Sequence, residues 1–341
     1  MKMSDVAKLA NVSTATVSRV ISKPNSVSID KRQRVLDVIK ELNYQPHIIA
    51  RQFKTNKTKT ILVVVPDVTS AFFAEVLRGI EHIAIKNDYL VILGNTENKI
   101  DTEKKFVNLL PQRQVDGMVM LTARLDKKTL EDLSKKYPLV LACEYIEGLT
   151  VPTVSIDNIS CARKVTEHLI RLGHTKIAHI TGPINVILSR DRLKGYQEAM
   201  INNGLDIVKL YIQEGNFCFE SGYDQMSKLL ALEDRPTAVF IFNDEMAMGA
   251  IRAIKDSELN VPEDIAVVSF DNVYMSSVCE PRITTVNQPK YEIGRIAMDL
   301  LLKLINGEEV QNSKIILKDE LIIRDSCGSR SRQYRVRGEQ T

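Results

Sequence analysis

From Thr60 onward the chain repeats one rhythm, a short apolar run followed by a longer stretch with helical spacing. The runs are 61–65, 90–93, 118–121 and 139–142, then 177–180, 238–242 and 265–270. Strands that alternate with helices in this way build parallel sheets covered by helices on both faces. So many strands imply two such lobes rather than one. In open sheets of this kind a ligand sits at the carboxyl ends of the strands, here facing the cleft between the lobes.

A length of 341 residues also exceeds what one ordinary core supports. The longest apolar stretch, 61–65 ahead of Pro66, is far too short to cross a bilayer. The opening MKMSDVAKLA has no apolar run of the signal-peptide kind. Five cysteines, Cys143, Cys161, Cys218, Cys279 and Cys327, are scattered without a C-x-x-C pair. That usage fits reduced thiols and offers no metal or disulfide signal. A cytoplasmic protein is expected.

Charge separates the first 60 residues from the rest. They hold 12 Lys and Arg against 4 Asp and Glu, a net of +8, which leaves −5 for the remainder of a chain whose total is +3. A basic head on a mildly acidic body implies that the head alone meets a polyanion. Within it, Val6, Ala7 and Ala10, with Leu9 alongside, form one helical stripe, and Val17, Val20 and Ile21 form a second. Residues 10–13 make the turn between them. Asn11 occupies the position that needs positive φ, and Ser13 is a good N-cap for a helix beginning at Thr14. A third helix, about 30–42 and capped by Ser28 or Asp30, is expected to pack Val35, Leu36, Val38, Ile39 and Leu42 against the first two.

Two helices joined by a tight turn place the start of the second in a DNA major groove. Thr14, Ala15, Ser18 and Arg19 lie outside its apolar stripe. Arg19 has the geometry for a bidentate contact with guanine, and Ala15 suits a thymine methyl. Thr16, Ser18 and nearby backbone N–H groups suit phosphates.

The string D-V-A-x-x-A-x-V-S-x-x-T-V-S-R-V-I, from Asp5 to Ile21, resembles the opening of the LacI/GalR repressor family. Asn43, Tyr44, Pro46, Ala50 and Arg51 match as well, and the likeness continues to about residue 325. The resemblance implies a small all-α helix-turn-helix DNA-binding domain followed by an α/β two-lobed periplasmic-binding-protein-like effector domain, with three chain crossings between lobes. The expected divisions are 1–45 for the head, 46–59 for a hinge helix and linker, 60–325 for the effector-binding and dimerisation body, and 326–341 for a flexible basic tail. A helix as short as 46–54 is marginal alone. In the family two such helices pair across a dimer and press an apolar wedge into the minor groove. Here Phe53 stands where the family usually has Leu, with Ile49 one turn before it.

In the body, Asp67 and Phe72-Phe73, Glu144-Tyr145, Asp157-Asn158, residues 190–192, Phe217, Asn243-Asp244 and Asp271-Asn272 follow predicted strands. Aromatics suit a planar base or a sugar ring, and Asp with Arg suits vicinal hydroxyls. Likeness to purine- and sugar-responsive relatives assigns Phe72, Phe73, Arg192, Phe217 and Asp271 to effector contact; Tyr145 and Asp244 join them as strand-end residues. An ion pair between Arg192 and Asp271, and a core position for Phe73, are alternatives. Loop 182–188 lacks the Arg and Thr of purine-binding relatives, and its Val186 and Leu188 make that wall apolar.

Within the family the likeness is greatest to the cytidine-responsive branch, over stretches such as VSTATVSR, RLKGYQEAM and QPKYEIGRIAM. It implies cytidine as effector, a homodimer on operator DNA and the cyclic-AMP receptor protein as a neighbour there. A sugar or purine effector, or a solute-binding protein, are the competing readings. No dinucleotide, Walker, nucleophile-elbow or H-E-x-x-H motif is present, and His47, His82, His168, His174 and His179 have no ligand spacing. No enzymatic activity, metal or cofactor is expected.

Overall fold

The structure, a computed structural model, describes residues 2–44, 57–310 and 314–329. It divides into two compact units, 1–58 and 59–341. The expected hinge helix, with Ile49 and Phe53, and the basic tail from 330 onward lie outside the described residues.

Among the described residues of the first unit there are three α-helices, α1 (Met3–Leu9), α2 (Thr14–Ser22) and α3 (Ile29–Glu41). Val6, Ala7, Ala10, Val17, Val20, Val35 and Tyr44 form its core, with Val38, Ile39 and Leu42 packed against it. Two expected core positions are corrected. Leu9 is 62% exposed and Leu36 is 41% exposed, because each lies just off the stripe that α1 and α3 turn inward. Asn11 has φ 51°, as the turn requires. Asn43, at φ 46°, ends α3 and swings Tyr44 under the bundle, where its N–H donates to the Ile39 carbonyl at 2.9 Å.

The second unit contains two six-stranded sheets. The first has the order β11-β5-β4-β3-β1-β2, built from β1 (Thr60–Val65), β2 (Leu90–Asn95), β3 (Gly117–Met120), β4 (Leu139–Ala142), β5 (Thr153–Ile156) and β11 (Lys314–Leu317). The second has the order β12-β10-β9-β8-β6-β7, from β6 (Ile177–Thr181), β7 (Ile212–Glu214), β8 (Ala238–Ile241), β9 (Ala266–Asp271), β10 (Thr284–Asn287) and β12 (Glu320–Ile322). Every pairing is parallel except β10 with β12. The chain changes sheet after β5, after β10 and after β11, which gives three crossings.

Central strands are buried on both faces, which is why they read as unbroken apolar runs. β2 is an edge, and Leu90, Ile92 and Leu93 on it are exposed. The second lobe extends past the expected boundary at 325. Ser326 and Cys327 are buried, and Ser326 Oγ donates to the Val267 carbonyl at 2.6 Å. Among the described residues no helix is long and apolar enough to cross a membrane.

Candidate functional site

In the first unit, Ser13 caps α2. Its Oγ accepts from Thr16 N–H at 3.2 Å and meets Thr16 Oγ1 at 2.9 Å. The Thr16 hydroxyl is therefore part of the cap. Thr14, Ala15 and Arg19 are exposed, Ser18 is half-buried, and Val17 and Val20 are buried. The helix thus turns its apolar side into the bundle and leaves the start of its polar side open, the arrangement a groove-reading helix needs.

In the second unit a cavity of about 230 Å³ lies between the two sheets. From the first lobe it is lined by Asp67, Ser70, Phe72 and Phe73 after β1, Thr122 and Arg124 after β3, and Cys143 and Glu144 after β4. The second lobe contributes Val186, Leu188 and Arg192 around the start of the helix Ile187–Asn202, then Asn216 and Phe217 after β7, Phe242, Asn243 and Glu245 after β8, Asp271 at the end of β9 and Gln288 after β10. These are carboxyl ends of parallel strands, where open α/β sheets bind ligands.

Each lobe brings one arginine–carboxylate pair to this cavity. In the second lobe Arg192 is 2% exposed, and its guanidinium lies 4.2 Å from the Phe242 ring centroid and 3.7 Å from that of Phe270. Its Nε donates to Asn158 Oδ1 at 3.0 Å and Nη1 donates to the Phe242 carbonyl. Nη2 stands 3.9 Å from Asp271 Oδ1, while Gln288 Nε2 donates to that same oxygen at 2.7 Å. Burial lowers the Arg192 guanidinium to about 10, and Asp271 acts against the shift. Burial raises the Asp271 carboxyl, opposed by Arg192 and Lys290. In the first lobe Arg124 Nη1 donates to both oxygens of Glu144 at 2.9 Å and to the Ala123 carbonyl at 3.0 Å. Buried Glu103 accepts from the backbone N–H of Arg124 and of Leu125 at 3.0 Å, which pins the loop that carries the arginine. Burial raises the carboxyls of both Glu103 and Glu144, opposed by hydrogen bonds and the Arg124 charge.

Strain gathers at the same wall. Cys143, Phe217 and Asp271 have φ of 69°, 80° and 107°, a region that side chains rarely adopt and that costs on the order of 1–3 kcal/mol each.

Of the nine residues that sequence reasoning assigned to effector contact, seven line this cavity: Phe72, Phe73, Val186, Leu188, Arg192, Phe217 and Asp271. The Phe72 and Phe73 rings meet edge to face at 5.2 Å. The other two lie off the wall. Asp244 is fully buried behind Asp271, where it bonds to Ser269 Oγ and accepts from Val273 N–H at 2.8 Å. Burial and the Asp271 charge raise its carboxyl to about 6. Tyr145 instead ties the lobes together, its hydroxyl donating to Asp191 Oδ2 at 2.9 Å. Thr122 and Arg124 escaped sequence reasoning although they follow the run 118–121, so the strand-end rule applied to every run finds them. Gln288 follows a strand, TTVN, too polar to be read as one.

Fold and site together define a ligand-binding α/β body carried behind a helix-turn-helix. The chain matches the family of bacterial regulatory proteins, lacI family, over residues 2–47, and the periplasmic binding protein-like domain over 166–327. It belongs to the LacI family of transcriptional repressors. It is similar to the HTH-type transcriptional repressor CytR of Escherichia coli strain K12, with 42% identity over 95% of each chain. Catabolite control protein A of Priestia megaterium is 38% identical over 94% of this chain and 98% of its own. The solved Lac repressor dimer bound to operator and the anti-inducer ONPF covers 96% of this chain and 99% of its own, at 28% identity and a TM-score of 0.87.

Proposed function

We propose that this repressor binds operator DNA as a homodimer and that cytidine, held in the cavity between its lobes, controls its affinity for that operator. The observation that carries this reading is the cavity wall itself, two aromatic rings with an arginine–carboxylate pair on each lobe. Asp271 and Arg192 suit the vicinal hydroxyls of a ribose, and Phe72 and Phe73 suit a flat base. The apolar Val186 and Leu188 disfavour a purine there, and the likeness to CytR supports a nucleoside.

Thr14, Ala15, Ser18 and Arg19 read base edges and phosphates from α2, with Thr16 fixing the start of the helix. Ile49 and Phe53 form the minor-groove wedge. A two-fold dimer then requires a near-palindromic operator. Exposed Leu90, Ile92 and Leu93 on the β2 edge, with Tyr274, Met275 and Val278 in the second lobe, supply apolar surface that a second copy covers. The solved Lac repressor dimer supports the same assembly. Effector control is a population shift: ligand changes the relation of the lobes, hence the spacing of the paired hinge helices. The cyclic-AMP receptor protein is the neighbour proposed on the DNA.

Isothermal titration of the full chain with cytidine, adenosine, hypoxanthine and ribose tests the reading. Selective heat with cytidine is expected. Heat with hypoxanthine or ribose and none with cytidine overturns the effector assignment.

A further inference from the structure

We propose that the Arg124–Glu144 pair reads the hydrogen-bonding edge of the bound pyrimidine and makes the cavity select a 4-amino base over a 4-oxo base. The proposal rests on the nucleoside reading above and assigns a role that this reading leaves open.

Both residues line the cavity, yet their pairing is not explained by stability. A buried ion pair gains little over apolar packing of the same volume, because two charges have been taken out of water. Arg124 Nη1 is fully committed, to the two Glu144 oxygens and the Ala123 carbonyl. Nε and Nη2 make no hydrogen bond among the described residues, although the side chain is only 17% exposed. The Glu144 side chain is 6% exposed, and its carboxylate has acceptor capacity beyond the Nη1 hydrogen. Glu103 holds the Arg124 backbone from behind, so the pair is fixed before any ligand arrives. The arrangement is a rigid acceptor beside a donor with hydrogens to give, set in a place sheltered from water.

A guanidinium only donates, and an ionised carboxylate only accepts. Cytosine presents the complementary order along its edge: the C4 amino group donates, and the adjacent N3 accepts. Uracil reverses both, with a C4 carbonyl that accepts and an N3–H that donates. Its pattern matches only if the base slides one position along the pair. The ribose prevents that slide, because the Arg192–Asp271 pair on the opposite lobe fixes where the sugar lies. With the register fixed, a 4-oxo base sets its carbonyl against the Glu144 carboxylate and its N–H against Arg124. A site built to hydrogen-bond a ligand N–H rejects the analogue that lacks it more strongly than a site relying on shape.

The test compares three ligands on the full chain by calorimetry: cytidine, uridine and the riboside of pyrimidin-2-one, which keeps N3 and lacks the amino group. Removing one hydrogen bond to a charged group costs roughly 10- to 100-fold in affinity. The expected order is cytidine first, the pyrimidinone riboside about 10- to 100-fold weaker, and uridine weaker again. Glu144→Gln, whose amide turns either face to the base, is expected to narrow the cytidine-to-uridine ratio by at least about tenfold. Two dissociation constants on one preparation give that ratio whatever fraction has folded. Equal cytidine and uridine affinity in the wild type, or an unchanged ratio in the variant, overturns the proposal while the nucleoside reading stands. Absence of binding by any nucleoside overturns both.

Discussion

Gly182 offers a way to disturb the cavity without deleting any group that lines it. A Cβ at this position would sit 2.4 Å from Phe217 Cε1, 3.1 Å from Phe217 Cδ1 and 2.7 Å from Ser189 Oγ. Carbon atoms rest at about 3.5–4.0 Å from one another, so the ring must retreat by about 1 Å. It has little freedom to do so elsewhere. The Phe217 carbonyl accepts from Asn243 Nδ2 at 3.0 Å, its φ of 80° is already strained, and its ring packs on Phe242 with centroids 5.1 Å apart. Gly182→Ala therefore reshapes the cavity wall that Phe217 forms. Overpacking of this kind costs about 1–3 kcal/mol of folding stability, and the ring displaced into the cavity is expected to lower ligand affinity by at least about fivefold. Calorimetric titration with cytidine reads the loss, and circular dichroism checks that the fold persists. Operator binding without ligand is expected to stay within about threefold of wild type, because surface-remote changes leave the DNA-reading unit intact. A folded Gly182→Ala protein that binds effector as tightly as wild type refutes the assignment of this cavity.

Three further outcomes are expected. Arg19→Ala removes the exposed side chain proposed to read a base from α2 and is expected to lower operator affinity by roughly 1–3 kcal/mol while affecting random duplex DNA less; competitive anisotropy assays measure both. Tyr145→Phe deletes the hydroxyl that joins the lobes through Asp191, and a hydrogen bond to a charged group is worth about 1.5–3 kcal/mol before solvent screening of this half-buried pair. Effector affinity should fall at least about threefold, and an unchanged titration would show that the tie does not bias the lobes. His179 lies buried between Phe240 and Tyr196, and burial lowers its imidazole from 6.5 to about 4. The neutral ring contributes stability that is present above the unfolded value near 6.5 and is lost as pH falls through about 4. Relative to His179→Asn, whose amide can still donate to the Phe240 carbonyl, wild type should lose roughly 3 kcal/mol between pH 7 and pH 4 in urea denaturation. Parallel pH profiles for the two proteins would contradict the burial argument.

How far the sequence reveals this molecule depends on which physical signal each part leaves in it. The central strands are legible because burial on both faces demands unbroken apolar runs, as in Ile61 to Val65. Strands β5, β7, β10, β11 and β12 are not, because TVSI, IQE, TTVN, KIIL and ELI are short, and most of them mix polar with apolar residues. Their places are set by pairing with distant segments, which no local pattern records. In the head, the Asn11 turn and the Ser13 cap are local chemistry and read correctly, whereas the exposure of Leu9 and Leu36 depends on how the helices face one another. In the cavity the strand-end rule reaches Phe72, Phe73 and Asp271, which follow legible runs, while Arg192 and Phe217 rest on the family likeness, since Arg192 lies inside a helix and Phe217 follows β7, which no apolar run announces. It could not tell Asp271 from Asp244, one facing the cavity and the other buried behind it, because that difference lies in side-chain direction at a strained turn. Nor could it foresee the pairing of Arg124 with Glu144, which joins the ends of two adjacent strands through a contact 20 residues apart.

Control of DNA binding by a ligand held between the lobes is open to measurement on operator DNA itself. A site is first selected from random duplexes with the full chain, and its binding is then followed by fluorescence anisotropy with and without saturating cytidine. A near-palindromic site is expected, with affinity that falls steeply with salt and a change of at least about tenfold in the dissociation constant when cytidine is added. Selection that enriches no symmetric site, or an operator affinity that cytidine leaves unmoved, would contradict this expectation.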